Sequence, residues 1–444
     1  YNHGAVYLEN DEALVYWQDN RWGQSKIYGT NISSSFDGTG DIFSEDVNGQ
    51  LLTDLDLAQE TPKAILAGDK IFLSFKVEES PNENLYLQLL NLDLSPYGSA
   101  TALADPSTAN QAFDMVYGDD GYIYYAYSEN TNIALKKLYI DGSTEWMELV
   151  VDSNEGDNVV QAIYPLPESG CVIIYENQFW QTGTHIYALA VDETGQVQNG
   201  WPINLSNLSE NQYYESSTLT NDGIFISFKD NTSGNYDVYG QHVLFDGSLL
   251  SASGIAIADG TDDQEESAVA YDSVADEALV CYESLDGSET DIHCNEVDLS
   301  TQEVGDELVI SDDMDNQKNP SVYWSGDSFM IAWEDSRNTA TLNSGVDIYF
   351  QEYKDGVFSF SSGGEAITTF NQKQERPIIS QYTDDSFVII WEDYRSTGKE
   401  FCANLYGQSY TRCTLGDING DGGWNVLDIV ALANCVLAGN CVDL

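Results

Sequence analysis

One segment recurs along the whole of this 444-residue chain, and this repeat limits the folds open to it more than any other feature. In its clearest copies, at 13–32, 329–353 and 387–410, an apolar run ends in Trp-x-Asp-x-Arg, and a polar loop leads to a second run around a tyrosine. A fixed internal period is typical of architectures built from one repeated supersecondary unit. The three motifs are Trp17/Asp19/Arg21, Trp333/Asp335/Arg337 and Trp391/Asp393/Arg395.

Weaker copies of the segment fill the interval between the clear ones. They bring the number of copies to eight, with starts 49 to 58 residues apart, and occupy 71–90, 122–140, 171–191, 224–243 and 278–297. A second marker has the same period, because a glutamine precedes the first strand of most units and in three of them a proline follows three residues later. The glutamines are Gln59, Gln111, Gln212, Gln264, Gln317 and Gln374, and the prolines are Pro62, Pro320 and Pro377. Two independent markers in one register argue against a chance repeat.

Each unit has the pattern of four short strands. In the seventh unit these are PSVYW, SFMIAWED, DIYFQEY and GGEAITT, separated by Gly, Asp, Asn and Ser, which favour turns. A four-stranded antiparallel unit of this size does not bury both faces alone, whereas radial stacking of such units does. Residues 1–412 are therefore predicted to form an all-β, eight-bladed β-propeller, and a seven-bladed ring and an extended β-solenoid are the alternatives. The apolar second strands, such as FVIIW at 387–391, are expected to be buried on both faces.

The Trp-x-Asp-x-Arg motif is interpreted as architecture rather than as a catalytic set, because it recurs in several units. Alternate residues of a strand share one face, so the tryptophan is expected to pack between blades while the aspartate and arginine pair across a loop as a clip. The units resemble the Trp-Asp-Arg propeller repeats common in secreted bacterial proteins, and this resemblance implies a secreted propeller. They do not show the sialidase Asp-box, since the nearest string, at 34–40, lacks its ending.

The eighth unit lacks a fourth strand in the sequence. Only residues 411–417 separate its third strand from the next feature of the chain, and the run at 4–9 already serves as the first strand of unit one. The ring is therefore expected to be one strand short. Because an unpaired sheet edge invites pairing with another chain, the C-terminal segment or a strand from a neighbouring molecule is expected to cover it.

Residues 413–444 are predicted to form a second, small module that binds a cation. Oxygen-bearing side chains occur at positions 1, 3, 5, 9 and 12 of a loop that starts at Asp417, with glycine at position 6 and a backbone carbonyl ligand at position 7. This is the spacing of the EF-hand-type loop, which surrounds one Ca²⁺ with oxygen ligands. The predicted ligands are Asp417, Asn419, Asp421, Gly423, Asn425 and Asp428.

The loop ends in Asp428 rather than in glutamate, and no helix precedes it. Both features, together with the run NVLDIVALANCVL at 425–437, resemble one repeat of a type I dockerin. The resemblance implies Ca²⁺-dependent folding and a role in attachment, although a dockerin normally has two such repeats and this chain has one. The helix expected from this run is apolar on most sides and needs a partner surface, which is the propeller, a second copy of the chain or another protein.

Charge and cysteine content bear on the compartment and the partners. With 74 Asp and Glu against 16 Lys and Arg, the net charge of −58 disfavours nucleic acid and anionic membranes as partners and recruits cations. No run of 18 apolar residues exists, so no membrane insertion is predicted. Six of the seven cysteines fall into local pairs, which indicates disulfides and a secreted or cell-surface location, and Cys171 is left over. The pairs are Cys281/Cys294, Cys402/Cys413 and Cys435/Cys441.

These patterns predict an extracellular, non-catalytic structural protein whose calcium-ordered C-terminal module mediates assembly with a protein partner. A homo-oligomer or head-to-tail filament is expected, because the single dockerin-like repeat and the incomplete eighth blade of one molecule could each pair with the other on a neighbouring molecule. The alternative is a monomer whose C-terminal segment folds back onto its own eighth blade. No HExxH, Gly-x-Ser-x-Gly or phosphate-cradling motif occurs, so the sequence leans away from an enzyme without excluding one. The alternative is a carbohydrate-binding or carbohydrate-active propeller, with a glycosidase- or lyase-like site for glycans, anchored through its dockerin-like tail.

Overall fold

The computed structural model of the chain describes residues 2–8, 11–19, 23–33, 36, 39–42, 49–79, 82–104, 110–152, 156–179, 181–338, 345–383, 386–395 and 404–411. Strands and turns, and no helix, make up these ranges. The strands form eight antiparallel sheets, each with four strands or with a fourth position shared by two short strands. The prediction of an all-β, eight-bladed propeller with four-stranded blades is confirmed.

Blades 1 to 4 are built in chain order from four strands each, with one exception in blade 1 that is described below. Blade 1 contains β1 (His3–Tyr7), β2 (Glu12–Asp19), β3 (Lys26–Ser33) and β5 (Gln50–Leu51), and blade 2 contains β6 (Gln59–Ala67), β7 (Lys70–Glu79), β8 (Asn82–Asn91) and β9 (Thr101–Ala102). Blade 3 contains β10 (Asn110–Tyr117), β11 (Ile123–Glu129), β12 (Asn132–Leu138) and β13 (Thr144–Val151). Blade 4 contains β14 (Asp157–Pro165), β15 (Cys171–Phe179), β16 (Gly183–Val191) and β17 (Ile203–Asn204).

Blades 5 to 8 follow the same order, and in blades 6 and 7 two short strands both pair with the third strand. Blade 5 contains β18 (Gln212–Leu219), β19 (Gly223–Asp230), β20 (Asp237–Leu244) and β21 (Ile255–Ala258), and blade 6 contains β22 (Gln264–Asp272), β23 (Glu277–Asp286), β24 (Glu289–Asp298), β25 (Glu303–Val304) and β26 (Leu308–Ser311). Blade 7 contains β27 (Gln317–Trp324), β28 (Phe329–Asp335), β29 (Asp347–Lys354), β30 (Val357–Phe358) and β31 (Glu365–Thr368). Blade 8 contains β32 (Gln374–Thr383), β33 (Ser386–Asp393), β34 (Asn404–Thr411) and β4 (Thr39–Ile42).

The first strands of the blades surround the centre of the ring. β1, β6, β10, β14, β18, β22, β27 and β32 contact one another in this order, and β32 contacts β1 again. The ring is therefore closed, and the first strands line its central channel.

The second strands form the interior of the blades. Every residue of β28 and β33 is buried, which confirms the expectation from their unbroken apolar sequence. The apolar clusters lie between neighbouring blades, as where Trp391 and Phe387 of blade 8 pack with Met330 and Phe350 of blade 7. Each blade thus buries its two faces against its neighbours, which is the reason that the repeat needs a ring.

Blade 8 is completed by a strand from the N-terminal part of the chain. β4 lies in sequence between two strands of blade 1, yet it pairs antiparallel with β34, with Ile42 opposite Tyr406 and Asp41 opposite Gly407. The expectation of an eighth blade that lacks one strand is wrong. It assigned the N-terminal segment to blade 1 alone, whereas the long connection from β3 to β5 supplies the missing strand.

Cysteine pairing agrees in part with the sequence. Cys281 and Cys294 are directly opposed in β23 and β24 and form a disulfide, while Cys171 is buried and unpaired. The other four cysteines lie outside the described residues. A disulfide is compatible with an extracellular protein. No helix that could cross a membrane is found in the part of the chain that the structure describes.

Candidate functional site at the mouth of the central channel

The repeated glutamine fixes the start of several first strands. The side chains of Gln264, Gln317 and Gln374 are buried. Each Nε2 donates a hydrogen bond to the backbone carbonyl two residues earlier, at 2.7, 2.9 and 3.0 Å respectively. The second sequence marker is therefore a side-chain amide that holds the connection between blades as it turns into the channel.

A β-bulge with left-handed backbone follows this glutamine. The residue two positions later has a φ angle of 48° at Thr61, 52° at Glu266, 51° at Asn319 and 57° at Arg376. The strand register shifts at each of these positions. A bulge leaves one residue outside the ladder and redirects its backbone N–H. In this ring the redirected N–H points to the neighbouring blade.

Buried carboxylates accept these redirected N–H groups across the boundary between blades. Glu176 accepts from the N–H of Tyr214 at 2.8 Å, and Glu283 accepts from Asn319 at 2.8 Å. Glu334 accepts from Arg376 at 2.7 Å. Glu334 lies between Trp333 and Asp335, at the first variable position of Trp-x-Asp-x-Arg. This variable position of the motif therefore joins one blade to the next.

Blade 5 provides an acceptor for the bulge N–H of blade 6 in a different way. Lys229 stands where blades 4, 6 and 7 have Glu176, Glu283 and Glu334. Its Nζ lies 2.9 Å from Glu265 Oε2 and 3.2 Å from Glu266 Oε1. Glu215 supplies the acceptor instead, for the N–H groups of Glu266 at 2.7 Å and Ser267 at 2.9 Å. The acceptor is thus retained although its position in the sequence changes.

Burial raises the pKa of these carboxyl groups. It is the main cause for Glu176, Glu215 and Glu283. For Glu334 burial raises the pKa to about 7, against the opposing effect of the Arg376 N–H. Desolvation disfavours the charged form of an acid, and the interblade hydrogen bonds offset only part of that effect.

Two cavities open on the channel next to the bulges. The Arg376 cavity, of about 340 Å³, lies among blades 5 to 8 and is lined by Tyr214, Glu215, Lys229, Asn319, Arg376 and Ile378. The Thr61 cavity, of about 560 Å³, lies among blades 1 to 3 and is lined by His3, Tyr16, Thr61, Lys63, Asp114 and Met115. Together they are the candidate binding site of the propeller.

The aspartate and arginine of the repeated motif form the expected clip. Asp335 is fully buried and accepts a hydrogen bond from Trp333 Nε1 at 3.0 Å and from Arg337 Nε at 2.9 Å. The Arg337 guanidinium also stacks 4.1 Å above the Tyr349 ring. Trp391, Asp393 and Arg395 repeat these side-chain contacts in blade 8. The motif therefore has a structural role, while Arg21 of the first copy lies outside the described residues.

The predicted calcium ligands fall outside the described part of the chain. All six, together with the rest of 413–444, belong to the ranges that the structure leaves undescribed, so the calcium site stays a prediction. Within the described ranges, no group of three His, Cys, Asp or Glu side chains is placed to hold a metal ion.

The sequence missed the Thr61 cavity. Three of the four histidines, His185, His242 and His293, lie in third strands, but His3 lies on the channel. His3, Thr61 and Asp114 come from three blades, so no local motif unites them. The available signal was a β-branched residue at the bulge position, where the other units have Glu266, Asn319 and Arg376.

Comparisons with known proteins show the fold and no family. No protein-family model matches the chain, and no curated protein matches it in sequence. The fold is similar to that of the Dos1 propeller, with a TM-score of 0.54 and 10% identity over 91% of this chain and 92% of that chain. Similarity is lower to the polysaccharide lyase Uly1, with a TM-score of 0.48 and 8% identity over 83% of this chain and 94% of that chain. The endosialidase of phage phi92 has a TM-score of 0.44 and 11% identity over 92% of this chain and 74% of that chain. A propeller fold hosts many unrelated functions, so none transfers from this likeness.

Proposed function

We propose that the chain is an extracellular, non-catalytic propeller scaffold, and that residues 413–444 attach it to a protein partner when Ca²⁺ is bound. The observation that supports a scaffold most strongly is the use of the buried carboxylates of the second strands. Glu176, Glu283 and Glu334 each hold a backbone N–H of the next blade. In the described residues, these acidic groups join neighbouring blades and so maintain the ring.

The pKa of Glu334 is the feature that comes nearest to an enzyme. A value of about 7 is the one that a general acid needs at neutral pH. A catalytic acid must also reach the substrate atom that it protonates, and Glu334 is 7% exposed with its Oε1 bound to the N–H of Arg376. Structural networks shift pKa values as well, and we assign this shift to the joint between blades 7 and 8.

The closure of blade 8 bears on what the C-terminal module does. Since β4 already pairs with β34, the ring does not need the C-terminal segment as a covering strand. The apolar helix that the sequence predicts at 425–437 would therefore still need a partner surface, which a short calcium-stapled segment does not supply by itself. A second copy of the chain is the partner that we propose, joined through the module and not through a missing strand.

Light scattering on the full chain, with negative-stain electron microscopy of the same sample, tests this proposal in Ca²⁺ and in chelator. We expect oligomers or filaments in Ca²⁺ that dissociate in chelator, and their loss in the double variant Asp417→Ala/Asp428→Ala. Asp312→Ala, which removes an exposed carboxylate from the connection between blades 6 and 7, is the matched control. A mass of 49.1 kDa in both conditions would contradict self-association.

A further inference from the structure

We propose that the Thr61 cavity binds one unit of a neutral saccharide. The proposal goes beyond the scaffold function, because it assigns a ligand to the propeller and does not depend on the calcium module.

Two buried polar atoms in this cavity have no hydrogen-bond partner among the described residues. They are Nε2 of His3 and Oγ1 of Thr61. The His3 side chain is 5% exposed, and its other nitrogen, Nδ1, lies 3.8 Å from Glu392 Oε1. Because an unsatisfied buried polar atom destabilises a fold, both atoms favour a bound molecule that offers hydrogen-bonding groups.

The backbone of Thr61 is strained in a way that the other bulges are not. Its φ angle is 48°, and a left-handed conformation is a true outlier for a β-branched residue. The N–H of Thr61 is held by Gln18 Oε1 at 3.2 Å. Strain of this kind persists where surrounding structure enforces it and concentrates at ligand sites. Here it places a hydroxyl on the wall of the cavity.

The charges around the cavity are balanced, which favours a neutral ligand. Lys63 Nζ lies 3.0 Å from Asp114 Oδ1, and Asp114 Oδ2 accepts the N–H of Ile163 at 3.2 Å. His3 faces Glu392. A charged ligand would have to displace one of these partners, whereas hydroxyl groups can donate to Asp114 and accept from Lys63 without doing so.

Much of the remaining wall is apolar, and the size fits a sugar ring. Pro62, Ile65 and Met115 line the cavity beside the polar groups. A saccharide presents hydroxyls at its edge and C–H groups on its faces, so it matches a wall of this mixed character. The volume of about 560 Å³ is within the range of small-molecule sites, and the Lys63 side chain is 45% exposed, so the cavity is open to solvent.

The Arg376 cavity does not have this character. Glu215 accepts from Ser267, Lys229 is paired with Glu266, and Arg376 is paired with Glu392. Its described polar side chains are engaged with one another. We therefore assign the saccharide to the Thr61 cavity alone.

Saturation-transfer NMR and calorimetry on the full chain test the proposal. The probes are the methyl glycosides of glucose, galactose, mannose, xylose and arabinose, with glucuronate and galacturonate as charged comparisons. We expect at least one neutral glycoside to bind. We also expect Thr61→Val to weaken this binding about tenfold through the lost hydroxyl and Thr61→Ser to retain it. Thr101→Val, the same change on the exposed outer strand of blade 2, is the matched control.

Three outcomes would overturn the proposal. They are the absence of binding by every neutral glycoside, binding by the uronates alone, and binding that Thr61→Val leaves unchanged. If Thr61→Val does not fold, His3→Phe removes the second unpartnered atom, and undiminished binding in that variant has the same meaning. None of these results bears on the calcium module, which is assayed by chelation.

Discussion

The carboxylate of Glu334 accepts a hydrogen bond of 2.7 Å from the backbone N–H of Arg376, across the boundary between blade 7 and blade 8. Glu334 is buried, and burial raises its pKa to about 7. The joint between these blades therefore contains an acid that ionises near neutral pH. Glu176, Glu215 and Glu283, at other joints, have pKa values raised in the same direction.

The contribution of Glu334 to the free energy of unfolding is expected to fall as the pH rises from about 4.5 through about 7, and to change no further once the group is ionised in both states. Between these values the folded chain keeps the proton on Glu334 and the unfolded chain has released it, so the folded state loses stability as protons are removed. A shift from 4.5 to about 7 corresponds to about 3 kcal/mol for this group. Urea unfolding at a series of pH values measures the slope.

Glu334→Gln separates this group from the background of other acids. The variant keeps an oxygen acceptor for the Arg376 N–H and removes the ionisation, so its stability is expected to depend less on pH than that of the wild type. Glu365→Gln, an exposed change in the same blade, should keep the wild-type slope. Equal slopes in the wild type and Glu334→Gln would show that the titrating group lies elsewhere.

Asp335→Asn is expected to destabilise the chain by about 2 kcal/mol, because it removes the buried counter-ion of Arg337 and leaves only the more exposed Asp313, among the described residues, as its ion-pair partner. The amide keeps the size of the side chain and an acceptor for Trp333. Chemical unfolding at constant pH measures the loss. Asp312→Asn, at an exposed position between blades 6 and 7, is expected to change stability little. A loss no larger than that of the control would argue that the clip is not a stabilising contact.

Replacing both Asp41 and Ile42 with proline is expected to release β4 from blade 8. These two residues lie directly opposite Gly407 and Tyr406, and alternate residues of an antiparallel strand donate to its neighbour, so one of the two prolines removes a donor to β34. We expect the unfolding free energy to fall by about 1–3 kcal/mol for each lost hydrogen bond. Asp41→Ala/Ile42→Val keeps the backbone donors and is the control. Thermal unfolding and gel filtration report the result, and unchanged stability in the proline variant would contradict this closure.

Cys171 is expected to resist alkylation in the native protein. It is fully buried, and burial raises the pKa of its thiol, so little reactive thiolate is present. Peptide mapping by mass spectrometry after iodoacetamide treatment, with and without denaturant, measures this. Modification only in denaturant is the expected outcome, and rapid native alkylation of Cys171 would contradict its buried position.

The eight blades follow from the sequence because their cause is local. Each copy has its own apolar second strand, such as 387–391, and its own polar loop, and the period of the copies sets the number of blades. The clip at Asp335 and Arg337 follows for the same reason, since both residues belong to one motif.

The closure and the Thr61 cavity do not follow from the sequence because their causes are distant. β4 reads TGDI, a short run without an apolar signature, and only its pairing with β34 near the other end of the chain makes it a strand. His3, Thr61 and Asp114 meet because blades 1, 2 and 3 are neighbours in the ring. The structural role of the repeated glutamine does not follow from the sequence either, because its hydrogen-bond acceptor is a backbone carbonyl, which no residue type marks.

Calcium binding by the C-terminal module is tested most directly by calorimetric titration of Ca²⁺ into the full, calcium-stripped chain. Uptake of a single ion at a site that Asp417→Ala/Asp428→Ala abolishes and Asp312→Ala leaves intact is the result that the proposed docking module predicts. No uptake, or uptake that persists in the double variant, would contradict it.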